Sequence, residues 1–430
     1  MANIILQSAE NSSLLQTLNQ SDSKVIPSIY STKEIYAPSA TSWFSDLPPQ
    51  SENVTPGGQM TFNIPKYGFL QQILFGFSYT YTSAVVGTDS LHLPAGSAYN
   101  MIDRIEFLSS SRVISTLYSQ DLIAQHSNLS TDQLYPISRT WSKAQKDGVV
   151  VGTNDVVTDS FLLPIVFGFN MDINTVQNTS FNEPQSIRIV WSGKLANLGI
   201  KLNAAKTATS KPVSGSGVVT LPRINYRYKL YNEADTAMIL SENYSEPQLN
   251  MLTTRAYREN PLELTSDGNS DFKFTVNLKN VDVVNAFYIM VLPSIVDGSN
   301  ANPNLANITA LQTISKVTMV ASGQEICSIT PEQNYYAMLT ENGFAQKPQV
   351  VDGFVSYIDV FKIQTGLWEN SGGGSWSNGW SLREMNNVSL VVEGKSTLPN
   401  ILCTCFVSET TSTILSTSSN TGRLVNSLVN

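Results

Sequence analysis

Histidine is nearly absent. The 430 residues hold two, His92 and His126, and neither has a Ser/Asp or Cys pattern nearby from which a catalytic triad or a zinc site could be built. Both read as surface or core-edge histidines. Cysteine is scarce too. Three in so long a chain make no disulfide framework. Charged residues make up only 14%, against about a quarter in an average soluble domain. No run of Lys or Arg occurs, and the net charge is −8. That excludes a sequence-independent nucleic-acid binder, which needs a basic face for phosphate. No apolar run reaches the roughly 18 residues of a transmembrane helix. The opening MANIILQSAENSS has no basic segment and too short an apolar run, so no signal peptide is expected. The Asn-X-Ser/Thr triplets at Asn178 and Asn307 then reflect a composition rich in those residues. Gly372-Gly373-Gly374-Ser375 lacks the Lys of a phosphate loop.

What fills the gap is Ser, Thr, Asn and Gln, with 41% hydrophobic residues to build cores. A surface so poor in charge suits a protein that packs against copies of itself. The chain is also long enough for two cores of ordinary size.

A repeat organises the sequence. Met101 to Asn128 reads as a strand, a polar turn at Ser109-Ser110-Ser111, a second strand and a helix start. Thr313 to Asn342 reads the same way, with its turn at Ala321-Ser322-Gly323. Laid together, Ile102 meets Ile314, Arg104 meets Lys316, Ile105 meets Val317, Leu108 meets Val320 and Ile114 meets Ile326. Thr330-Pro331-Glu332-Gln333 is a capping box, with Pro at the first helical position. Ser119 takes the matching cap in the first copy, with Asp121 in the first turn. Three further echoes keep the same order. Met60, Phe62 and Ile64 alternate like Phe272, Phe274 and Val276. Ser186 to Lys194 matches Asn387 to Lys395, and Leu221 to Tyr228 matches Leu398 to Cys405. Repeats in one order over so long a period indicate a duplicated domain.

Each half contains many short strands, turn signals between them and one short helix. The expected fold is therefore all-β, as two tandem eight-stranded antiparallel jelly rolls with short helices in the connecting loops. The layout is an N-terminal arm at 1–43, a first roll at 44–241, a second at 242–410 and a C-terminal arm at 411–430. Residues 247–268 carry few periodic signals. Cys403 and Cys405 resemble a metal pair, but the repeat aligns them with Tyr226 and Tyr228 on an inward strand face, as small core residues. Cys327 has no partner at a ligand-like spacing. Gly366 to Trp380, with Trp368, Trp376 and Trp380, reads as an outward loop in which at least one Trp packs onto the roll or an adjacent subunit. No catalytic, cofactor-binding or metal residue is assigned.

The order of elements resembles a known family. Ile102-Asp103-Arg104-Ile105-Glu106-Phe107, then Leu162-Leu163-Pro164, then Ile187-Arg188-Ile189, then Tyr226 to Asp235 looks like the first half of double jelly-roll major capsid proteins of tailless icosahedral viruses. That lineage takes in large DNA viruses, membrane-containing phages and, more distantly, adenovirus hexon. An Arg cluster that follows the last of these strands in the large-virus members is missing here. The resemblance implies a non-enzymatic structural protein of the virion, assembled in the host cytoplasm as homotrimers with a pseudo-hexagonal outline. The implied partners are other copies of the chain, minor capsid and penton proteins and, where a virion has one, an internal membrane. No sequence-specific nucleic-acid contact is implied. Two alternatives stay open from the residues alone. One is a glycan-processing amidase of two fused jelly rolls, with acidic residues at the junction. The other is a carbohydrate-binding β-sandwich protein using Trp368, Trp376 and Trp380. The terminal segment carries apolar residues at helical spacing but too few for a core of its own. Deleting residues 1–43 is therefore expected to leave folded oligomers while weakening shell formation, as scored by electron microscopy of assembly reactions.

Overall fold

A computed structural model describes residues 40–50, 53–66, 69–83, 90–92, 97–126, 149–150, 156–167, 177–178, 183–193, 195, 200–202, 208–210, 215–230, 248–279, 283–293, 312–342, 350–351, 354–355, 360–365, 367–369, 375–377, 379–397, 399–418 and 424–428. Residues 1–39 of the arm expected at 1–43, and the expected join between halves near Glu242, lie outside the described residues.

The first half contributes β1 (Ala40–Leu47), β2 (Gln59–Asn63), β3 (Phe69–Ser83), β4 (Ile102–Ser109), β5 (Arg112–Tyr118), helix α1 (Ser119–His126), β6 (Val156–Ile165), β7 (Gln185–Trp191) and β8 (Gly215–Leu230). The second contributes β9 (Gln248–Arg258), β10 (Asp271–Asn277), β11 (Val283–Pro293), β12 (Gln312–Ala321), β13 (Gln324–Ile329), helix α2 (Pro331–Asn342), β14 (Phe361–Gln364), β15 (Ser389–Ser396) and β16 (Leu402–Ser418). The first half pairs β1-β8-β3-β6 in one sheet and β2-β7-β4-β5 in the other. The second pairs β9-β16-β11-β14 and β10-β15-β12-β13. Raising every label of the first roll by eight gives the second, and all of these pairings are antiparallel. Each half is a jelly roll, as expected.

Alternation explains the layers. Along β2, Met60 and Phe62 are buried while Gln59 and Asn63 are exposed; along β10, Phe272, Phe274 and Val276 are buried between exposed Lys273, Thr275 and Asn277. Period-2 burial is what a sheet with one wet face requires. The first core is aromatic, with Phe62, Phe75, Phe77, Phe161 and Trp191 in edge, tilted and stacked contacts at centroid distances of 5.2–5.9 Å. The second is more aliphatic, built on Val284, Ile289, Val291, Val317, Leu390 and Val392.

Bulges fix the alignment of the two rolls. In β4, Asp103 is skipped between the Val190↔Arg104 and Trp191↔Ile102 pairs; in β12, Ser315 is skipped between Glu393↔Lys316 and Gly394↔Ile314. In the hairpins, Ile114 and Ile326 are the bulged residues, and the turn residues Ser110 and Ser322 have φ of 54° and 51°. This part of the repeat stands in the register read from the sequence. Two other registers are corrected. The pairings equate Ile189 with Val392 and Trp191 with Gly394, two residues away from the sequence alignment. A bulge at Gln71 in β3 matches one at Asn285 in β11, which equates Tyr226 with Glu409 rather than with Cys403. A strand slipped by an even number of residues, two in the first case and six in the second, keeps its inward face, so alternation could not detect either error. The helix cap also moves by one. The Asp121 carboxylate accepts from the backbone N–H of Tyr118, as the Gln333 side-chain oxygen accepts from that of Thr330, at 2.8 and 2.9 Å. Tyr118, not Ser119, is therefore the counterpart of Thr330.

Several boundaries change as well. Strand β1 starts at Ala40, inside the expected N-terminal arm. Residues 411–418 are not an arm, because β16 runs on through them, paired with β9, and Leu424–Leu428 pairs with it in turn. Polar Ser and Thr stand there in a sheet whose outer face is covered, so composition misleads. The weakly periodic 247–268 stretch contains β9 and the strand Leu262–Thr265. The Gly/Trp loop is in part a hairpin, with Leu367–Glu369 paired to Ser375–Ser377 and Trp368 opposite Trp376. Trp380 packs against the second core.

Gly394 stands where the first roll has Trp191. A Cβ there would lie 2.3 Å from the Thr313 carbonyl oxygen and 2.4 Å from the Phe272 ring. Gly394→Ala is expected to lose about 1–3 kcal/mol through overpacking, read as a lowered denaturation midpoint.

Candidate functional site

The first roll's helix is seated on the second roll's sheet. Hairpin β4–β5 ends at Tyr118, and the reach-back of Asp121 starts α1 there. Leu122, Ile123 and Ala124 then lie in a buried cluster that continues through the first core and takes in Ala286, Tyr288 and Met290 of β11. Those three residues alternate with Phe287, Ile289 and Val291, which face the second core. Strand β11 therefore has no polar face: residues 284–290 are all buried. The second roll's outer sheet face is covered by the first roll.

Polar groups register the contact. The Ser408 hydroxyl of β16 donates to the Asp121 carboxylate, and Arg258 Nη1 of β9 donates to Gln120 Oε1 at 2.8 Å. The Arg258 guanidinium also lies 3.7 Å from the centroid of the Tyr118 ring. Asp121 is 1% exposed. Burial raises its pKa above the ordinary carboxylate value, while Ser408, the Tyr118 N–H and the charge of Arg258 pull the other way. The Asp121 carboxylate is sealed into the junction and bonded from both rolls.

The residues singled out in the sequence are not brought together. Cys403 and Cys405 are buried in the second core, and Cys327 is half-buried on β13. Burial pushes the Cys403 thiol up to about 11 and the Cys405 thiol up to about 12. Both thiols therefore stay protonated at neutral pH. His92 lies in the short strand Ser90–His92 and His126 ends α1. Among the described residues, no group of three His, Cys, Asp or Glu could hold a metal, and no helix is long and apolar enough to cross a membrane. On the outer face of β2-β7-β4-β5, Glu106 is buried between Arg104, at 2.7 Å, and Arg188. Sequence reasoning missed the junction, because Asp121 looks like any acid in a first helical turn.

No family model and no curated protein matches the sequence. Solved structures do. The capsid of the PBCV-1 virus matches with a TM-score of 0.61 at 12% identity, over 90% of this chain and 97% of that one. The Faustovirus major capsid protein matches with a TM-score of 0.57 at 10% identity, over 96% and 98%. The mavirus major capsid protein matches with a TM-score of 0.56 at 11% identity, over 90% of both chains.

Two outcomes test the junction. Asp121→Ala leaves the Ser408 hydroxyl and the Tyr118 N–H without their acceptor and is expected to lose about 1–3 kcal/mol. The folded-state pKa of Asp121 is raised, so its ionisation opposes folding. That penalty is absent below the unfolded value near 3.9, grows as pH rises above it and levels off once pH passes the folded value. Thermal midpoints of the wild type and Asp121→Asn, compared from pH 4 to 8, should show the wild type losing ground to the variant as pH rises. Taken together, the strand order, the duplicated bulges and these likenesses establish the architecture: the chain is a double jelly roll, the fold of these viral major capsid proteins.

Proposed function

We infer that the chain is the major capsid protein of a tailless icosahedral virus, a structural protein and not an enzyme. One observation carries the reading: two complete rolls of the same strand order, joined by a helix seated on a sheet, align over at least 90% of the chain with solved capsid proteins. The low charge fits a surface committed to contacts with its own copies. In this reading three chains place six similar rolls around one axis. The outline is then nearly hexagonal, and a single gene product can fill a hexagonal lattice while closed symmetry uses each patch once. The partners are neighbouring capsomers, minor capsid and penton proteins at special positions and, where present, an internal membrane. The site of action is the virion shell, with assembly in the host cytoplasm.

Light scattering of the purified protein at micromolar concentration is expected to give three times the 47.1 kDa chain mass. Electron micrographs should show compact particles with threefold or near-sixfold outline. A strict monomer would contradict the reading.

A further inference from the structure

We propose that the outer face of β2-β7-β4-β5 carries a binding site for a phosphate monoester of a small polyol. The site does not depend on the capsomer reading and takes no part in the junction between the rolls.

A cavity of about 630 Å³ opens at the end of this sheet where β4 turns into β5. That volume falls within the range of small-molecule pockets, about 300–1,000 Å³. Alternation builds its floor. Met60, Phe62, Ile187 and Ile189 turn into the core, so Thr61, Asn63, Ser186 and Arg188 turn outward. Arg188 lies between Thr61 and Glu106 in the pairing, and Ser186 between Asn63 and Leu108. Ser110 and Ser111 of the β4–β5 turn join the lining, as does Lys66.

Charge singles the cavity out. Acids outnumber bases in the chain, 34 to 26, yet the lining holds two bases, Lys66 and Arg188, and no acid. Glu106 pins the Arg188 guanidinium, because Nε and Nη2 both meet Glu106 Oε2. Nη1 makes no hydrogen bond among the described residues, and the side chain stays 28% exposed. A guanidinium held in this way loses little freedom when it takes an anion. Glu106 also accepts from Arg104, so its charge is shared between two guanidiniums.

The second roll shows what the fold itself requires. There Ser389 stands for Ser186, Asn277 for Asn63 and Thr275 for Thr61. The ion pair does not recur: Arg188 becomes Val391 and Glu106 becomes Thr318. The sheet therefore forms without these charges, and a partly exposed pair adds little to stability. What the first roll adds is a positive hollow lined with hydroxyls.

These groups fit one ligand chemistry. A guanidinium and an ammonium together match an anion with several oxygens, and a phosphate monoester carries about −1.5 to −2 charge on three acceptor oxygens. The hydroxyls of Thr61, Ser110 and Ser186 add donors. Phosphate alone leaves most of the cavity empty. The Asn63 amide, which both donates and accepts, suits the hydroxyls of a polyol, and Leu108 suits its carbon face. Such an ester occurs free or as a lipid headgroup, and the test separates the two.

Isothermal titration calorimetry of the full chain compares inositol monophosphate, inositol, inorganic phosphate and glucuronate. The monophosphate is expected to bind, inositol to give no heat, and inorganic phosphate and glucuronate to bind about tenfold more weakly. Asn63→Asp sets a like charge beside the anion at an exposed position. It should weaken the monophosphate about tenfold at an unchanged melting temperature. Arg188→Gln should abolish binding. Asn277→Asp, the same change in the second roll, should leave binding intact. Flotation with phosphatidylcholine vesicles, with and without phosphatidylinositol phosphate, assigns the source. Retention on the phosphorylated vesicles, lost in Asn63→Asp, makes the ligand a headgroup; binding of the soluble ester alone makes it a free metabolite. Binding of neither form, or binding that Asn63→Asp leaves intact, would overturn the proposal. Glucuronate binding as tightly as the monophosphate would overturn the assignment to phosphate.

Discussion

A helix seated on the outer face of a β-sheet is the contact on which the molecule depends. A jelly roll buries one face of each of its two sheets and leaves the other faces to water. In the second roll the outer face carries Ala286, Tyr288 and Met290, a surface no isolated roll could leave exposed. The first roll covers it with α1 and with the end of β5, from which α1 starts. The two rolls are therefore not beads on a linker. The hydrophobic cluster that begins between Phe62 and Trp191 continues into the back of the second sheet, and Asp121 holds the register of the two rolls by bonding to Ser408. Removing apolar area from water drives the contact, and the buried polar pair fixes where it forms.

The same constraint explains how far the sequence could be read. The hairpin–helix element was legible because its landmarks are not periodic. A left-handed turn residue, a bulge and a capping side chain each mark one position, so Ile102, Arg104, Ile114 and their counterparts aligned correctly. Strands β7 and β15 offered only alternation, which repeats every two residues, and the alignment slipped by two. Strand β8 against β16 slipped further because the marker, a bulge at Gln71 and Asn285, sits in a partner strand and has no local signature. The Ser/Thr-rich end of β16 was misread because its burial comes from another part of the chain. Thr410, Thr411, Ser412 and Thr413 are all buried, yet no window of sequence records what covers them. Asp121 was visible as a helix-start acid, but its bond to Ser408, 287 residues away, was not.

Divergence between the two rolls is informative in its own right. Where both must form a core, the copies keep inward apolar residues and exchange sizes, as Trp191 does with Gly394.

The central claim is that the first roll's helix, seated on the second roll's outer sheet face, makes one unit of the two rolls. A three-dimensional reconstruction of the purified protein by electron microscopy, at a resolution that shows helices, tests it most directly. The account predicts α1 packed on the outer face of β11 and β16, with Asp121 beside Ser408. Rolls that take varying orientations relative to each other, or an α1 that faces solvent, would contradict it.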